Sequence, residues 1–179
     1  MTPLYTKFFS HYEHDEILEE LPYKNHVVLC GYGRVGKYVG RALDMAKIRY
    51  VVIEYNHQKA QELKAKGIQV IYGDPADKDI LDYAQVDYAK AVVIAIPDLT
   101  TQRQVIAHSR ELNKDVEIYC RSHHEEHMEH LKTLGATAII QPEFEASLSI
   151  TDKILRSFGQ KGKDIEGKIT RLKIEHGLA

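Results

Sequence analysis

No run of about eighteen or more apolar residues occurs anywhere in the chain, so nothing in it reads as a membrane-spanning helix. The first residues lack the basic-then-apolar pattern of a signal peptide; the chain as given is expected neither to span a membrane nor to be exported by that route. Cysteine is scarce. Cys30 and Cys120 each end an apolar, strand-like run, which argues against a disulfide framework and reads as two buried, reduced thiols in a cytosolic setting. Charge of one sign is not in excess either. With 24 basic and 26 acidic residues the formal net charge is −2, so neither a basic nucleic-acid face nor an acidic tail is expected, and no nucleic-acid partner is assigned.

What the chain does contain is organised around one stretch, His26-Val27-Val28-Leu29-Cys30-Gly31-Tyr32-Gly33-Arg34-Val35-Gly36-Lys37. Val27 to Cys30 has the length and β-branched content of a buried strand, and Lys37 to Ala46 places Val39, Leu43 and Ala46 on one helical face. The G-x-G-x-x-G motif therefore sits at a strand-to-helix turn. There Gly31 permits the tight turn, Gly33 lets the backbone approach a pyrophosphate, and Gly36 lets the helix pack on the strand. The phosphate would meet unpaired N–H groups and the positive end of the helix dipole. A second apolar strand, Tyr50 to Ile53, ends in Glu54, twenty-three residues beyond Gly31. That spacing suits a carboxylate that accepts ribose hydroxyls and repels a 2′-phosphate.

From Val27 onward, strand and helix patterns alternate. Strands are predicted at Val27 to Cys30, Tyr50 to Ile53, Gln69 to Tyr72, Ala91 to Ile96, Glu117 to Cys120 and Ala138 to Ile140. Helices are predicted at about Val35 to Ala46, Gln58 to Lys66, Lys78 to Ala84, Thr100 to Leu112 and Glu125 to Thr133. Such β-α units imply right-handed crossovers, and strands without polar alternation imply burial on both faces. The expected fold is α/β: a Rossmann-like, doubly wound, six-stranded parallel sheet with its ligand at the carboxyl ends of the strands. Phe144 to Phe158 forms a further helix with a broad apolar stripe that seeks a partner surface. Gly159 to Gly167 reads as a glycine and lysine linker, and Lys168 to Ile174 as a lone strand. Residues before the first strand read as a connector, with a short helix at most from His14 to Leu21.

Catalytic constellations are lacking. About forty residues follow the last predicted strand, too few for a substrate-holding second domain. The one Tyr-x-x-x-Lys match, Tyr55 with Lys59, follows the second strand, the wrong place for hydride chemistry. No catalytic residue is assigned; a small NAD-dependent oxidoreductase or redox sensor is the alternative function, and a scaffold with a vestigial pocket a third. Asp74, in the turn Gly73-Asp74-Pro75 after strand three, reads equally as an acceptor for adenine or ribose and as a turn residue capping the next helix. Arg34 in the glycine loop and Arg121 after strand five suit pyrophosphate pairing, and Arg121 suits an intersubunit or surface ion pair equally well. His123, His127 and His130 fall at i, i+4 and i+7. They fit an exposed polar helix better than a zinc-like site or a pH sensor, and no metal ligand is assigned.

Taken together, Gly31-Tyr32-Gly33-Arg34-Val35-Gly36, Glu54, the turn Tyr72-Gly73-Asp74-Pro75, Ala91 to Ile96, Arg121, and Leu134-Gly135-Ala136 followed by Gln141-Pro142-Glu143 resemble the RCK N-terminal domain. That domain, also called KTN or TrkA-N, regulates potassium channels and transporters. The resemblance covers His26 to about Phe158. The Gly-Tyr-Gly-Arg-x-Gly form and the Glu-Ala-Ser-Leu-Ser-Ile helix look most like the cytosolic domains of Kef-type monovalent cation:proton antiporters. Gln102 and Arg103 are a departure, standing where many relatives carry an asparagine.

The resemblance implies NAD(H) or AMP as cofactor, held by Gly31, Tyr32, Gly33, Arg34, Val35, Gly36, Glu54, Asp74, Ile96 and Arg121. It implies a homodimer through a crossover helix, Glu143 to Phe158, and a membrane transporter domain as partner, in the same chain or as a separate subunit. It also implies a cytoplasmic location at the inner face of the membrane. The division that follows is 1–25 as connector, with Met1 to Tyr5 read as the exit of a transmembrane domain, 26–141 as nucleotide-binding domain, 142–159 as crossover helix and 160–179 as tail.

Overall fold

Six short strands carry the molecule, and their side chains alternate between two dry faces. The computed structural model describes residues 23–177; the connector and the helix expected from His14 to Leu21 lie outside them. The strands are β1 (Val27–Cys30), β2 (Tyr50–Glu54), β3 (Val70–Tyr72), β4 (Ala91–Ile94), β5 (Glu117–Arg121) and β6 (Ala138–Ile140), all parallel, in the order β3-β2-β1-β4-β5-β6. That order reverses direction between β1 and β4, and a crevice opens at such a switch point beyond the carboxyl ends of the strands.

Helices α1 (Gly36–Met45) and α2 (His57–Ala65) cover one face; α3 (Lys78–Tyr83), α4 (Leu99–Leu112) and α5 (Met128–Thr133) cover the other. Val27 and Leu29 of β1 pack with Val39, Leu43, Ala60 and Leu63 on the first face. Val28 and Cys30 pack with Leu81, Val105, Ile106 and Leu131 on the second. Adjacent residues of one strand thus enter different cores, and each fully buried Leu or Ile, such as Leu29 and Ile106, contributes about 1.5–3 kcal/mol. Burial also pushes the Cys120 thiol up to about 12.

The expected alternation of strand and helix is present, with corrections. β5 is not uniformly apolar: Ile118 and Cys120 are buried, whereas Glu117, Tyr119 and Arg121 are half-buried, because the sheet is less completely covered there. Ala95 and Ile96 lie beyond the end of β4. The helix expected over Glu125 to Thr133 is a 3-10 turn, Glu125–His127, followed by α5.

The larger correction concerns the tail. Residues Lys168 to Ile174 are not a strand, and Gly162 to Gly167 are not linker; both belong to helix α7 (Gly162–Glu175). Ile165 is fully buried, and counting it restores helical spacing through Ile169 and Leu172. Gly159, in the left-handed region at φ 77°, ends the preceding helix α6 (Pro142–Ser157) and turns the chain back. The two helices run antiparallel, with the rings of Phe144 and His176 stacked 3.8 Å apart.

Candidate functional site

β1 leaves the sheet at Gly31, where φ is 88° and the N–H donates to the Ile53 carbonyl at 2.9 Å. A side chain is excluded twice there, since φ is left-handed and a Cβ would come within 2.9 Å of Ile96 Cγ1. At Gly36 a Cβ would lie 2.1 Å from the Gly31 carbonyl oxygen, so the loop can close on the helix only through glycine. Gly33 is the opposite case: a Cβ there would meet nothing within 4 Å. The motif therefore folds a tight loop with one open side, and the Lys37 N–H donates to the Gly33 carbonyl to begin the helical turn.

Helix α1 has no side-chain cap at its amino end. Its neighbours do. Asn56 Oδ1 accepts from Lys59 N at α2, Asp77 Oδ1 from Asp79 N at α3, and Asp98 Oδ2 from Thr101 N at α4. An uncapped amino end leaves backbone donors and the positive end of the dipole available to an anion.

Across the loop, Glu54 ends β2 with a side chain only 5% exposed. Its Oε2 accepts from Tyr32 N at 3.1 Å and faces the Lys59 ammonium at 3.3 Å, while Oε1 accepts from Asn56 N at 3.1 Å. The acid thus holds the glycine loop and the entrance to α2 in one place. The Tyr32 ring lies against α1, because Gly40 has no side chain to displace it.

These elements enclose a cleft of about 550 Å³ at the carboxyl ends of β1, β2 and β4. Of the expected site residues it brings together Gly31, Tyr32, Gly33, Glu54, Asp74 and Ile96. Asp74 reaches the rim, yet its Oδ1 also accepts from Ala76 N; the cap of α3 is Asp77, not Asp74. Val35, Gly36, Arg34 and Arg121 are not among the cleft-lining residues. Val35 packs into the core beneath α1, and Gly36 is buried as its first residue. Arg34 is exposed, without a hydrogen bond or ion pair among the described residues.

Arg121 engages a different set. Its Nη2 donates to His123 Nε2, and His123 Nδ1 donates to Glu143 Oε1 at 2.7 Å in the first turn of α6. The His123 bond holds the Glu143 carboxyl below the usual carboxylate range, with Arg121 adding to it. His123 therefore precedes the turn that carries His127 and is tied to Arg121 and Glu143. The three histidines do not share one helical face, and among the described residues no group of three His, Cys, Asp or Glu side chains is placed to hold a metal.

Lys59 is visible in the sequence only in the Tyr-x-x-x-Lys match and Gln102 only as a departure from the family pattern; neither carries a signal for its place beside the cleft. Gln102 is buried, its amide donating to the Ile96 and Arg121 carbonyls at 2.7 and 2.8 Å. Asn56 and Asp98 were legible in principle, because each stands between a strand and an apolar helical pattern, where caps belong.

Comparison with known proteins adds the lineage. The model of the TrkA-N domain matches residues 27–142. The glutathione-regulated potassium-efflux system protein KefC of Escherichia coli is 30% identical over 147 residues, covering 82% of this chain and 23% of KefC. The crystal structure of the TrkA-N domain of inner membrane protein YbaL from Escherichia coli superposes with a TM-score of 0.70 at 30% identity, covering 73% of this chain and 96% of that domain. The Shewanella denitrificans Kef C-terminal domain, in its AMP-bound form, superposes with a TM-score of 0.72 at 23% identity, covering 84% of this chain and 92% of that one. The chain spans between 21% and 23% of the length of the curated antiporters it matches.

Proposed function

The chain belongs to the TrkA-N domain family, and from that premise we propose that it is a ligand-sensing regulatory domain that gates a transporter of potassium or another monovalent cation. The ligand is an adenine nucleotide, AMP or NAD(H). Its phosphate lies over the amino end of α1, held by the loop Gly31 to Gly36 with Arg34 beside it. Its ribose lies against Glu54, and its base between Asp74 and Ile96. Arg121 belongs to the same device as the link from the strand ends to α6. The observation that carries this reading is the uncapped amino end of α1 beside the buried acid Glu54, in a cleft whose neighbouring helices are capped by their own side chains. The AMP-bound Kef domain of the same fold adds support.

A nucleotide gates only if it binds one arrangement of the domain better than another. The element that would report the difference is α6. It leaves Ile150, Ile154 and Phe158 exposed at i, i+4 and i+8, a stripe suited to a second copy of the chain. The proposed assembly is a homodimer through Glu143 to Phe158, at the cytoplasmic face of the membrane beneath a transporter domain. Native mass spectrometry of the purified chain tests both parts at once: the expected species is a dimer carrying one AMP-sized or NAD-sized ligand per chain. A monomer that neither retains nor takes up AMP, NAD+ or NADH would overturn the reading.

A further inference from the structure

Among the described residues that line it, the candidate cleft holds three carboxylates, Glu54, Asp74 and Asp98, and one cation, Lys59. Any phosphate-bearing ligand is an anion, so the balance between these groups decides which ligands are admitted. Asp74 and Asp98 are turned to local backbone N–H groups, those of Ala76 and Thr101. Glu54 faces the sugar position, but it is not a bare acid. A carboxylate offers about four acceptor sites. Tyr32 N, Asn56 N and Lys59 Nζ occupy three of Glu54's, leaving about one for a ribose hydroxyl.

Lys59 is placed with equal definition. Its backbone N–H donates to the Asn56 cap at 3.0 Å, which fixes the first turn of α2, and its side chain is 36% exposed. The ammonium has three donors; Glu54 faces one, and no other hydrogen bond or ion pair holds it among the described residues. The Glu54–Lys59 pair is therefore neutral as a whole and presents free donors where a lone glutamate would present only negative charge.

Resting on the nucleotide reading above, we propose that Lys59 is a specificity-determining residue of this cleft: it cancels the charge of Glu54 and supplies donors at the 2′ edge of the ribose, so that the site tolerates a 2′-phosphate. The acid alone would exclude such a ligand. The pair makes the discrimination shallow, and the depth is set by one side chain on α2, outside the glycine motif.

The test is calorimetric titration of the full chain with AMP and with adenosine 2′,5′-bisphosphate at fixed ionic strength, for the wild type, Lys59→Met and Lys59→Arg. The dissociation constant of the bisphosphate divided by that of AMP should rise about tenfold in Lys59→Met and stay near the wild-type value in Lys59→Arg, which keeps the charge. A rise of about threefold or more sustains the proposal, and a smaller one overturns it. Loss of AMP binding by Lys59→Met overturns it as well, since the lysine would then be a general phosphate anchor. If the wild type binds neither compound and takes up no NAD+ or NADH either, the nucleotide reading itself falls; if it binds a nucleotide and the ratio does not respond to Lys59, only the present inference falls.

Discussion

Helices α1 and α4 both bring their amino ends to the same cleft, one after β1 and the other after β4, and they differ in what occupies that end. At α4 the Asp98 carboxylate accepts from the Thr101 N–H at 2.7 Å and from its hydroxyl at 2.8 Å, and these bonds hold the carboxyl below its usual range. At α1 the corresponding residue is Val35, whose apolar side chain makes no cap hydrogen bond. The dipole and the orphan donors are the same in kind at both ends, so the difference lies in whether the chain provides its own anion. Where it does, the helix is complete without help. Where it does not, an anion from solution has a place to bind.

The comparison can be broken most severely at Gly36. Gly36→Val puts carbon 2.1 Å from the Gly31 carbonyl oxygen, so the loop must leave the helix. The expected result is loss of AMP binding and of stability on the order of 3 kcal/mol, read from urea denaturation followed by circular dichroism. A milder change makes α1 resemble α4: Gly33→Asp adds a carboxylate where a Cβ meets nothing within 4 Å. The domain should remain folded while AMP affinity drops roughly tenfold or more, as measured by calorimetry; unchanged affinity would place the phosphate elsewhere. The converse, Asp98→Ala, empties the end of α4. A melting temperature a few degrees lower is expected, with AMP affinity within about threefold of the wild type.

The smallest effect is expected at the opposite end of the sheet. His26 is fully buried, with Nε2 against the Ala84 carbonyl at 2.9 Å; burial lowers its pKa below the usual 6.5, against the opposing influence of Ala84 and Asp87. The unfolded chain takes up a proton near that usual value while the folded chain resists. His26 therefore leaves stability intact above about pH 6.5 and withdraws it as pH falls toward the folded pKa. Between about pH 7.5 and about pH 5.5 the urea midpoint should fall further for the wild type than for His26→Gln. Equal falls would mean that this imidazole does not set the acid response.

The contrast between α1 and α4 also explains which features the amino-acid sequence makes legible. The glycine loop was legible because Gly31 and Gly36 each meet a backbone or packing demand that other residues fail, and such demands leave a fixed spacing in the chain. Glu54 was legible by its distance from Gly31. Its partners were not: Tyr32 N meets the carboxylate through the pairing of β1 with β2, and Asn56 N and Lys59 through the path by which α2 leaves β2, and no one-dimensional pattern encodes either. By its place after β5, Arg121 suits a pyrophosphate and an ion pair equally; it donates to His123, which in turn bonds Glu143, because rotamer and loop path decide among the acceptors within reach. The tail departs from the expected linker and strand for a simpler reason. Glycines at 162 and 167 resemble punctuation, and a window opened at Lys168 leaves out Ile165, the residue that makes the period helical.

Gln102 carries a consequence of its own. Its one amide group bonds the carbonyl of Ile96, beyond β4, and that of Arg121, at the end of β5, so two neighbouring strand ends are stitched by a residue belonging to neither. Fraying one end strains the stitch to the other, which makes the two segments a single cooperative opening unit. In deuterated water their amides should lose protection together, and Gln102→Ala should let the two exchange at separate rates.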